Sequence, residues 1–282
     1  MKCFYHDDLD GICSAAIVYK YYKENWPQFM KDNEFIKINY KDEFPFDKIQ
    51  KDEKVIIVDF SIQTEGGFQK LFETTDNVIW IDHHKSAIEK NKDISIPGIR
   101  HTDHAGCVLT WRYFYNVKRL PKIVDMLGSY DIWDFTKYGN DINILQAGIK
   151  LYDYRFDASN WQLWLTDDIS LNDILSKGII ALQYRTSVYE SLISSWAFFA
   201  MFEGYKAVCC NNAGAGSQLF DSVKEEYDLM MPMVYDGNTW SVSIYSKRKD
   251  IDCSELAKKY GGGGHFSASG FQCKELPFKK II

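Results

Sequence analysis

Short apolar segments that end in carboxylates or imidazoles recur through the first half of the chain. The apolar segment 78–81 runs directly into an Asp-His-His triplet at 82–84, and the apolar segment 55–58 runs into Asp59. Each segment has the length and composition of a buried β-strand. In an open α/β sheet the carboxyl ends of the strands share one edge, where ligands bind. The chain is therefore expected to gather acidic and imidazole side chains along one edge of a sheet.

Three further acidic residues extend this pattern. Asp8 and Asp10 come directly after a short apolar segment at about residues 2–6, and Asp131 closes the segment 127–131. We expect these residues, like Asp59, to lie at strand ends. Carboxylates together with imidazoles are typical ligands of divalent transition metals. The sequence therefore predicts a divalent-metal site at this edge.

The composition allows a two-domain globular protein and argues against one class of partner. The chain has 282 residues, of which 46% are hydrophobic and 16% aromatic, enough for well-formed cores. A formal net charge of -6 argues against a wide basic surface that holds long nucleic acid. Neither an amino-terminal signal nor an apolar run of the roughly 18 residues that a membrane span needs is found, so a cytoplasmic protein without a membrane partner is expected. The seven cysteines contain no C-x-x-C pair, so a disulfide framework is not indicated.

Predicted strands and helices alternate over the first part of the chain, which indicates βαβ units. The predicted elements are, in order, a strand at 2–6, a helix at 12–22, strands at 34–38 and 54–59, a helix at 66–75, a strand at 78–82, and helices at 105–115 and 121–126. Residues 142–202 carry apolar residues mostly at helical spacing, including 171–182 and 188–202. The fold class predicted from this order is α/β, with a mainly parallel sheet flanked by helices and a helical cap and connector.

The pattern changes at Gly204, after which a smaller mixed α/β domain is predicted. Its expected elements are a strand at 205–210, a helix at 216–227, a hairpin of 231–235 and 239–245, and a helix at 253–260 that Asp252 caps. The segment 236–238, Asp-Gly-Asn, is a good hairpin turn. The resulting division is a domain at 1–190 with the helical cap, a connector at 191–204 and a second domain at 205–282.

The acidic edge has the composition of a two-metal site. Two divalent ions about 3.5–4 Å apart can hold a hydroxide between them and neutralise the charge of a phosphoryl group. Such a site needs several carboxylates, one of them bridging, and an imidazole favours a transition metal over magnesium. We place Asp59 and Asp131 centrally, with Asp59 as the bridging ligand.

The remaining ligands divide between the two metals. His6 and Asp8 would complete the shell of one ion, and Asp10 and His83 that of the other. His84 would remain free to contact a substrate phosphate or to orient the nucleophile. A single Asp after a strand is most often a turn or a helix cap, so the prediction depends on finding all of these residues together.

These residues resemble the four successive motifs of the DHH phosphoesterase superfamily. The matching motifs are Asp8-Leu9-Asp10-Gly11, Asp59, Asp82-His83-His84 and Asp131. The run 261–270, GGGGHFSASG, is similar to the glycine-rich signature of the associated carboxy-terminal DHHA1 domain, so the resemblance covers essentially the whole chain. It implies a two-domain, manganese-dependent phosphodiesterase or phosphatase with its active site in the cleft between the domains, and it makes a homodimer plausible.

The resemblance implies a reaction class and leaves the substrate open. The superfamily includes RecJ exonucleases, nano-RNases and cyclic-dinucleotide phosphodiesterases. We expect hydrolysis of short oligonucleotides, or of linear or cyclic dinucleotides, to mononucleotides by a hydroxide held between two Mn²⁺ ions, with Co²⁺ or Mg²⁺ as alternatives. Asp82, His83 and His84 are the expected catalytic residues. A phosphoanhydride hydrolase acting on pyrophosphate or polyphosphate, and a non-catalytic nucleotide-binding regulator, remain as alternative functions.

Two segments of the second domain are expected to bind the substrate. Four consecutive glycines cost backbone entropy to order, but they can wrap a phosphate with amide groups, and His265 follows as a further donor. A simple helix stop is the other interpretation of these glycines. Many relatives carry an arginine where this chain has the segment 243–248. A second departure lies in the first motif, because many relatives place the histidine four residues before the first ligand aspartate, whereas His6 precedes Asp8 by two. The predicted substrate-binding residues are Gly262, Gly263, Gly264, His265, Ser246, Lys247 and Arg248.

Overall fold

The chain forms two compact units, Met1–Leu182 and Gln183–Ile282. They are seen in a computed structural model that describes residues 1–116, 119–166, 169–212 and 214–281. The first unit contains a four-stranded sheet and the second a seven-stranded sheet. Within these ranges no helix combines the length and the apolarity that crossing a membrane requires.

Strands and helices alternate in the first unit as the sequence predicts. Its strands are β1 (Lys2–His6), β2 (Glu34–Ile38), β3 (Val55–Val58) and β4 (Val78–Ile81). Its helices are α1 (Leu9–Asn25), α2 (Gly67–Phe72), α3 (Lys85–Lys90), α4 (Gly106–Tyr115), α5 (Lys122–Asp131), α6 (Asp141–Ile149) and α7 (Ser159–Trp164), and α8 (Ile169–Trp196) begins in it. The strands are ordered β2-β1-β3-β4 and each neighbouring pair is parallel. The predicted α/β class with a mainly parallel sheet is confirmed.

Both faces of the four-stranded sheet are buried, because successive side chains of each strand enter different cores. In β1, Cys3 and Tyr5 join the core beneath α1, α4 and α5, whereas Phe4 joins the core on the opposite face. Phe68 and Leu71 of α2 cover that opposite face. Parallel sheets need such cover on both sides. The strands therefore all present their carboxyl ends at one edge of a firmly packed sheet.

Asp131 reaches this edge on a helix, and the prediction that it lies at a strand end is wrong. It is the last residue of α5. Val124 and Leu127 of α5 are buried. Leu127 follows Val124 by three positions and Asp131 follows Leu127 by four, so all three lie on one face of the helix. The apolar face of α5 therefore packs against the core and brings Asp131 to the sheet edge with it.

The second unit is a mixed sheet with a helix against one face. Its elements after α8 are β5 (Phe198–Phe202), β6 (Tyr205–Asn211), β7 (Leu229–Tyr235), β8 (Trp240–Tyr245), α9 (Cys253–Lys258), β9 (Gly263–His265), β10 (Ala268–Cys273) and β11 (Lys279–Lys280). The strands are ordered β11-β5-β6-β7-β8-β10-β9, and among the described pairs only β6 and β7 run parallel. Asp252 caps α9 by accepting from the backbone N–H groups of Ser254 and Glu255. The predicted smaller mixed α/β domain, its hairpin and its capped helix are confirmed.

The predicted helix over 188–202 is wrong beyond Trp196, where α8 ends and β5 soon follows. Glu203 and Gly204 have φ angles of 52° and 83°. Two consecutive positive φ angles are typical of a two-residue hairpin turn, and this turn pairs Phe202 with Tyr205. The aromatic run 198–202 therefore forms a strand. The predicted helical region 142–202 also includes residues 167 and 168, which lie outside the described residues.

The predicted helix over 216–227 is also wrong. The structure has one short 3-10 turn there, Ser217–Phe220. Leu219, Phe220, Val223 and Tyr227 all pack against one apolar cluster, although the chain is not helical after Phe220. Apolar residues at helical spacing therefore do not form a helix here.

Candidate metal centre

The carboxyl edge of the four-stranded sheet brings the predicted metal ligands into two groups. Each ligand lies where a strand ends or a helix begins or ends. In one group the ligand atoms of His6, Asp8 and Asp59 all lie within 4.8 Å of one another, and in the other those of Asp10, His83 and Asp131 do. Asp59, His83 and His84 form a third, overlapping group. The two main groups separate His6 and Asp8 from Asp10 and His83, as the sequence predicts. Asp131, which was predicted to lie centrally with Asp59, belongs to the second group only.

Asp59 stands between the two groups. Its Oδ2 is 3.9 Å from His6 Nδ1, and its Oδ1 is 3.2 Å from His83 Nε2. The side chain is buried, and neither oxygen has a hydrogen-bond partner among the described residues. A buried carboxylate without partners is costly, and a cation at each oxygen would remove that cost. The donor set therefore fits a pair of divalent ions bridged by Asp59.

The backbone of Asp59 is strained to hold this position. Its φ is 53°, in the left-handed region that residues other than glycine seldom adopt. A Cβ atom on Gly106, at the start of α4, would stand 2.6 Å from the Asp59 Cβ. Gly106 is therefore required for α4 to approach the carboxylate, and strain of this kind is typical of functional sites.

Asp8 and Asp10 are fixed by backbone groups. Asp8 caps α1, because its Oδ1 accepts from Gly11 N at 2.8 Å while its Oδ2 lies 2.9 Å from His6 Nδ1. The two oxygens of Asp10 accept from Gly106 N at 2.7 Å and Cys107 N at 2.8 Å. The positive end of α4 thus stabilises the charge of Asp10. Both carboxylates are pre-oriented.

His83 lies at the centre of the second group. Its Nε2 is 3.2 Å from Asp131 Oδ2 and 3.8 Å from Asp10 Oδ2. Neighbouring ligands of an octahedral ion with bonds of about 2.1 Å stand about 3 Å apart. The separation between His83 and Asp131 is therefore close to that of two ligands around one ion.

The electrostatics of the edge favour bound cations. Burial, together with the negative charges of Asp10 and Asp8, raises the pKa of Asp131 to about 8 and holds the pKa of Asp59 well above its usual range. Burial lowers the pKa of His83, which keeps the imidazole neutral and able to bind a metal. Among the described residues, the ion-pair partners of these carboxylates are histidines, not lysines or arginines. Bound cations would therefore supply counter-charges that the described residues do not.

Asp82 has a different role from the other acidic residues. It is completely buried and belongs to none of the three ligand groups. Its Oδ1 accepts from the backbone N–H groups of His83 and His84, at 2.8 Å and 3.2 Å, and lies 2.7 Å from His84 Nδ1. Asp82 therefore shapes the turn that carries both histidines and orients the ring of His84.

Tyr40 is a residue of this site that the sequence reasoning missed. Its hydroxyl is 2.8 Å from His84 Nε2, so His84 is held at both ring nitrogens and is not free as predicted. The Tyr40 ring also stacks on Phe60 and lies 4.8 Å from the ring of His6. It follows β2 by two residues, and that position after a strand at the same sheet edge was the available signal.

The pKa of His84 is set by two opposing influences. Burial alone would lower it, but the hydrogen bond to Asp82 and the charges of Asp82 and Asp131 together raise it above the usual value. His84 therefore keeps its proton to a higher pH than an exposed histidine does.

The predicted substrate-binding residues 246–248 form a basic segment in the loop after β8, and they are engaged with other protein groups. Ser246 is buried and donates to the carbonyl of Asp228 at 2.9 Å. Arg248 forms ion pairs with Asp228 and Asp250, and Lys247 lies 3.7 Å from a carboxylate. These contacts give the basic segment a structural role that the sequence did not reveal.

Backbone conformation or close packing requires glycine at most positions of the run 261–264. Gly261 has a φ of 75° directly after α9. A Cβ on Gly262 or on Gly264 would stand 2.1 Å or 2.7 Å from a carbonyl oxygen of β10. Gly263 has open space around it, and it and His265 are exposed. The run is thus a helix end and an edge strand, and only part of it is available to a ligand.

Comparison with known proteins gives a family match and two curated relatives. The profile described as "DHH family, N-terminal domain" matches residues 3–128. An uncharacterised protein of Acanthamoeba polyphaga mimivirus is 26% identical over 297 residues, covering 96% of this chain and 68% of that protein. The oligoribonuclease NrnB of Bacillus subtilis is 21% identical over 315 residues, covering 98% of this chain and 74% of NrnB.

Solved structures show the same fold. The pGpG-specific phosphodiesterase PggH of Vibrio cholerae has a TM-score of 0.50 and 15% identity, with 97% of this chain and 93% of PggH covered. RecJ of Thermus thermophilus in complex with Mn²⁺ also has a TM-score of 0.50 and 15% identity, with 96% of this chain and 49% of RecJ covered. Residues 3–128 thus match the DHH family N-terminal domain, and the predicted resemblance to the DHH phosphoesterase superfamily is confirmed.

Proposed function

We propose that this chain is a metal-dependent phosphodiesterase that hydrolyses short oligonucleotides or dinucleotides to mononucleotides. The observation that carries the proposal is the placement of Asp59, whose two buried oxygens face two separate groups of carboxylates and imidazoles. The family match supports a hydrolase of the phosphoesterase type. An oligoribonuclease and a pGpG-specific phosphodiesterase among the similar proteins support short nucleotides as substrates.

Two Mn²⁺ ions are the proposed cofactors. His6 and Asp8 would hold one ion, Asp10, His83 and Asp131 the other, and Asp59 both. A mixture of imidazole and carboxylate donors suits manganese or cobalt better than magnesium, and the similar RecJ structure contains Mn²⁺. When bound, the two ions supply an activated water molecule and neutralise charge on the phosphoryl group.

His84 is the proposed proton donor to the phosphate. Asp82 holds Nδ1 at 2.7 Å, so the ring cannot rotate and Nε2 stays at the exposed side of the edge. Because its pKa is raised, His84 carries protons on both nitrogens over a wider pH range. A phosphate oxygen of the substrate would accept from Nε2 in place of the Tyr40 hydroxyl, which lies 2.8 Å from Nε2 in the absence of substrate. Hydrogen bonds of this charged type strengthen as negative charge develops in the transition state.

A substrate-binding role for the second unit is a separate part of the proposal. The exposed residues Gly263 and His265 offer a backbone amide and an imidazole that could contact a terminal phosphate. Replacing His265 by Ala is expected to raise the Michaelis constant and to leave kcat nearly unchanged. An unchanged Michaelis constant would argue against this role.

The test of the proposed function is product analysis by chromatography. Metal-stripped protein is incubated with and without Mn²⁺, with a 5'-phosphorylated RNA dinucleotide as substrate and pyrophosphate as an internal competitor. Release of mononucleotides that depends on Mn²⁺, with pyrophosphate intact, supports the proposal. Loss of pyrophosphate alone would assign a phosphoanhydride hydrolase instead. If neither compound is consumed, a cyclic dinucleotide is tested next, and failure there would favour a non-catalytic binder.

A further inference from the structure

A cavity of about 370 Å³ lies beside the candidate metal centre, within the first unit. Asp8, Asp10 and Asp131 form part of its wall, so a molecule in the cavity would lie directly next to the metal ligands. Its volume falls within the range of small-molecule sites. None of the residues assigned above as ligands or catalytic groups accounts for the rest of the cavity wall.

Two polar side chains of α6 and its end face this cavity. Gln146 and Lys150 stand four residues apart, on one side of the helix. Among the described residues neither side chain has a hydrogen-bond or ion-pair partner. The cavity is also lined by four aspartates, yet the Lys150 ammonium has no carboxylate within 4 Å in the described part of the chain. A lysine at a helix end is favoured by the helix dipole, but that preference does not explain an unpaired lysine beside so many acidic groups.

The other walls of the cavity are apolar or aromatic. Ile12 and Leu127 are buried, and the half-buried rings of Tyr130 and Tyr154 complete the lining. A site for inorganic phosphate or pyrophosphate needs cationic groups on several sides and no apolar wall. A nucleoside needs flat, apolar surfaces for its base and a few polar groups for its edge. The mixture found here fits a nucleotide.

We propose that this cavity binds the nucleotide unit attached to the phosphate that is hydrolysed, with Lys150 contacting the 5'-terminal phosphate of that nucleotide and Gln146 contacting the sugar or base. This inference rests on the proposed function and adds the place of one nucleotide to it. The amide of Gln146 both donates and accepts, so it can contact any of the bases. The tyrosine rings provide the apolar wall against which the base packs.

A second cavity, of about 590 Å³, adjoins the first through Asp7, Ile12 and Tyr154. Its cationic residues are already occupied, because Lys37 pairs with Asp7 at 3.1 Å and Arg155 with Asp153 at 2.8 Å. It therefore lacks an unpaired group that would hold another phosphate, and the proposal is confined to one nucleotide.

The kinetic test uses two diesters that differ in their nucleosides. One is the 5'-phosphorylated RNA dinucleotide, and the other is bis(p-nitrophenyl) phosphate, which has no sugar or base. In Lys150→Met and in Gln146→Leu, kcat/KM for the dinucleotide is expected to fall relative to that for bis(p-nitrophenyl) phosphate. The expected change is about tenfold for Lys150→Met, which loses a charged hydrogen bond, and less for Gln146→Leu. An equal fall for both diesters would overturn the proposal, because it would place the effect at the metal centre.

Lys51→Met is the matched control, since Lys51 is an exposed lysine of the same unit in the turn before β3. This variant is expected to match the unaltered protein with both diesters. Turnover of the RNA dinucleotide to mononucleotides by the unaltered protein supports the proposed function, whatever the variants do. Failure of the subsite and failure of the function are thereby distinguished.

A binding measurement decides the question without turnover. Saturation-transfer NMR of adenosine 5'-monophosphate with the metal-free protein is expected to show contact of the base and sugar protons. The signal is expected to weaken in Lys150→Met and in Gln146→Leu and to persist in Lys51→Met. Undiminished contact in both cavity variants, or no contact with the unaltered protein, would overturn the proposal.

Discussion

The acidic edge of the first unit and the basic segment 246–248 of the second are both rich in charge, but they differ in how that charge is compensated. At the acidic edge, both oxygens of Asp59 are buried without a hydrogen-bond partner. Among the described residues, Asp59 and the neighbouring carboxylates form ion pairs with histidines only. In the basic segment, Arg248 is paired with Asp228 and Asp250. The first region leaves buried charge that protons or bound cations would have to neutralise, whereas the second is balanced within the protein.

This difference is a guide to function. A protein removes unpaired buried charge by pairing, by protonation or by binding an ion. Paired surface charges contribute little to stability and are common. A functional role is therefore better supported for the acidic edge than for the basic segment. The predictions that follow test this contrast.

Replacing Asp59 by Asn is expected to have the largest effect. The variant keeps the shape of the side chain but loses the charge that would bridge two ions. A bound metal contributes several kcal/mol of transition-state stabilisation, so its loss is expected to lower kcat by at least about a thousandfold. The metal-free protein is expected to unfold at an unchanged or higher temperature, because a crowded buried carboxylate is removed. Steady-state kinetics and thermal unfolding, with and without Mn²⁺, provide the measurements.

The matched control is Asp76→Asn, since Asp76 is an exposed residue just before β4, at the other end of the strand. Its activity and its stabilisation by Mn²⁺ are expected to stay unchanged. If Asp59→Asn retained more than a tenth of the activity, the bridging role of Asp59 would be wrong and the contrast between the two regions would lose its main support.

Replacing Tyr40 by Phe is expected to lower kcat by about tenfold or more, the effect typical of residues that orient a functional group. The ring of Phe keeps the stacking on Phe60, and only the hydroxyl 2.8 Å from His84 Nε2 is lost. The Michaelis constant and the Mn²⁺ affinity are expected to change little. Tyr21→Phe, on the far part of α1, is the control, and equal effects of the two substitutions on kcat would show that Tyr40 does not position His84.

The acidic edge is expected to make the metal-free protein less stable as the pH rises from about 6.5 to 8. The pKa of Asp131 is about 8 in the folded chain and 3.8 is its ordinary value, so over this range the folded state holds a proton that the unfolded state has lost. The raised pKa of His84 acts in the same direction. The lowered pKa of His83 acts in the opposite direction, but mostly below about pH 7, where an unfolded histidine becomes protonated. One proton over this range corresponds to about 1–2 kcal/mol of unfolding free energy.

Thermal unfolding at several pH values measures this loss. Addition of Mn²⁺ is expected to raise the unfolding temperature more at pH 8 than at pH 6.5, because metal and protons compete for the same carboxylates. In Asp131→Asn the pH dependence is expected to be weaker. A stability that rises from pH 6.5 to 8 in the absence of metal would contradict the raised pKa of Asp131.

The fold of the first unit could be predicted from sequence because its signals are local. Apolar strands of four or five residues with acidic ends, such as 55–58, allow few alternatives. The strand at 198–202 was not predicted because it continues the apolar spacing of α8. In addition, the turn between this strand and β6 has Glu203, rather than the Asn typical of such turns, at its first position. Asp131 was placed on the correct edge but on the wrong kind of element.

The metal-ligand residues of the site could be predicted, because they are aspartates and histidines that mostly follow predicted strands. The two ligand groups are brought together as expected, whereas Tyr40 and Lys150 carry no motif and depend on packing between distant segments. The pairing of Arg248 with Asp228 joins residues 20 positions apart, and sequence spacing does not reveal such a contact. Charge compensation is thus the property that required the structure.

The smallest effect is expected at the basic segment, from Arg248→Met and Lys247→Met. Because Arg248 is already paired with two aspartates, its loss is expected to change the Michaelis constant by less than about twofold, as for an ordinary surface charge, and to lower the unfolding temperature slightly. Lys247 is more exposed than Arg248 and its one carboxylate contact is long, at 3.7 Å, so its loss is expected to affect stability even less. Steady-state kinetics with the RNA dinucleotide measures both. A tenfold rise of the Michaelis constant in Arg248→Met would mean that the substrate phosphate displaces the two aspartates from Arg248. Ion pairing in the protein without substrate would then be no guide to which charged residues bind substrate.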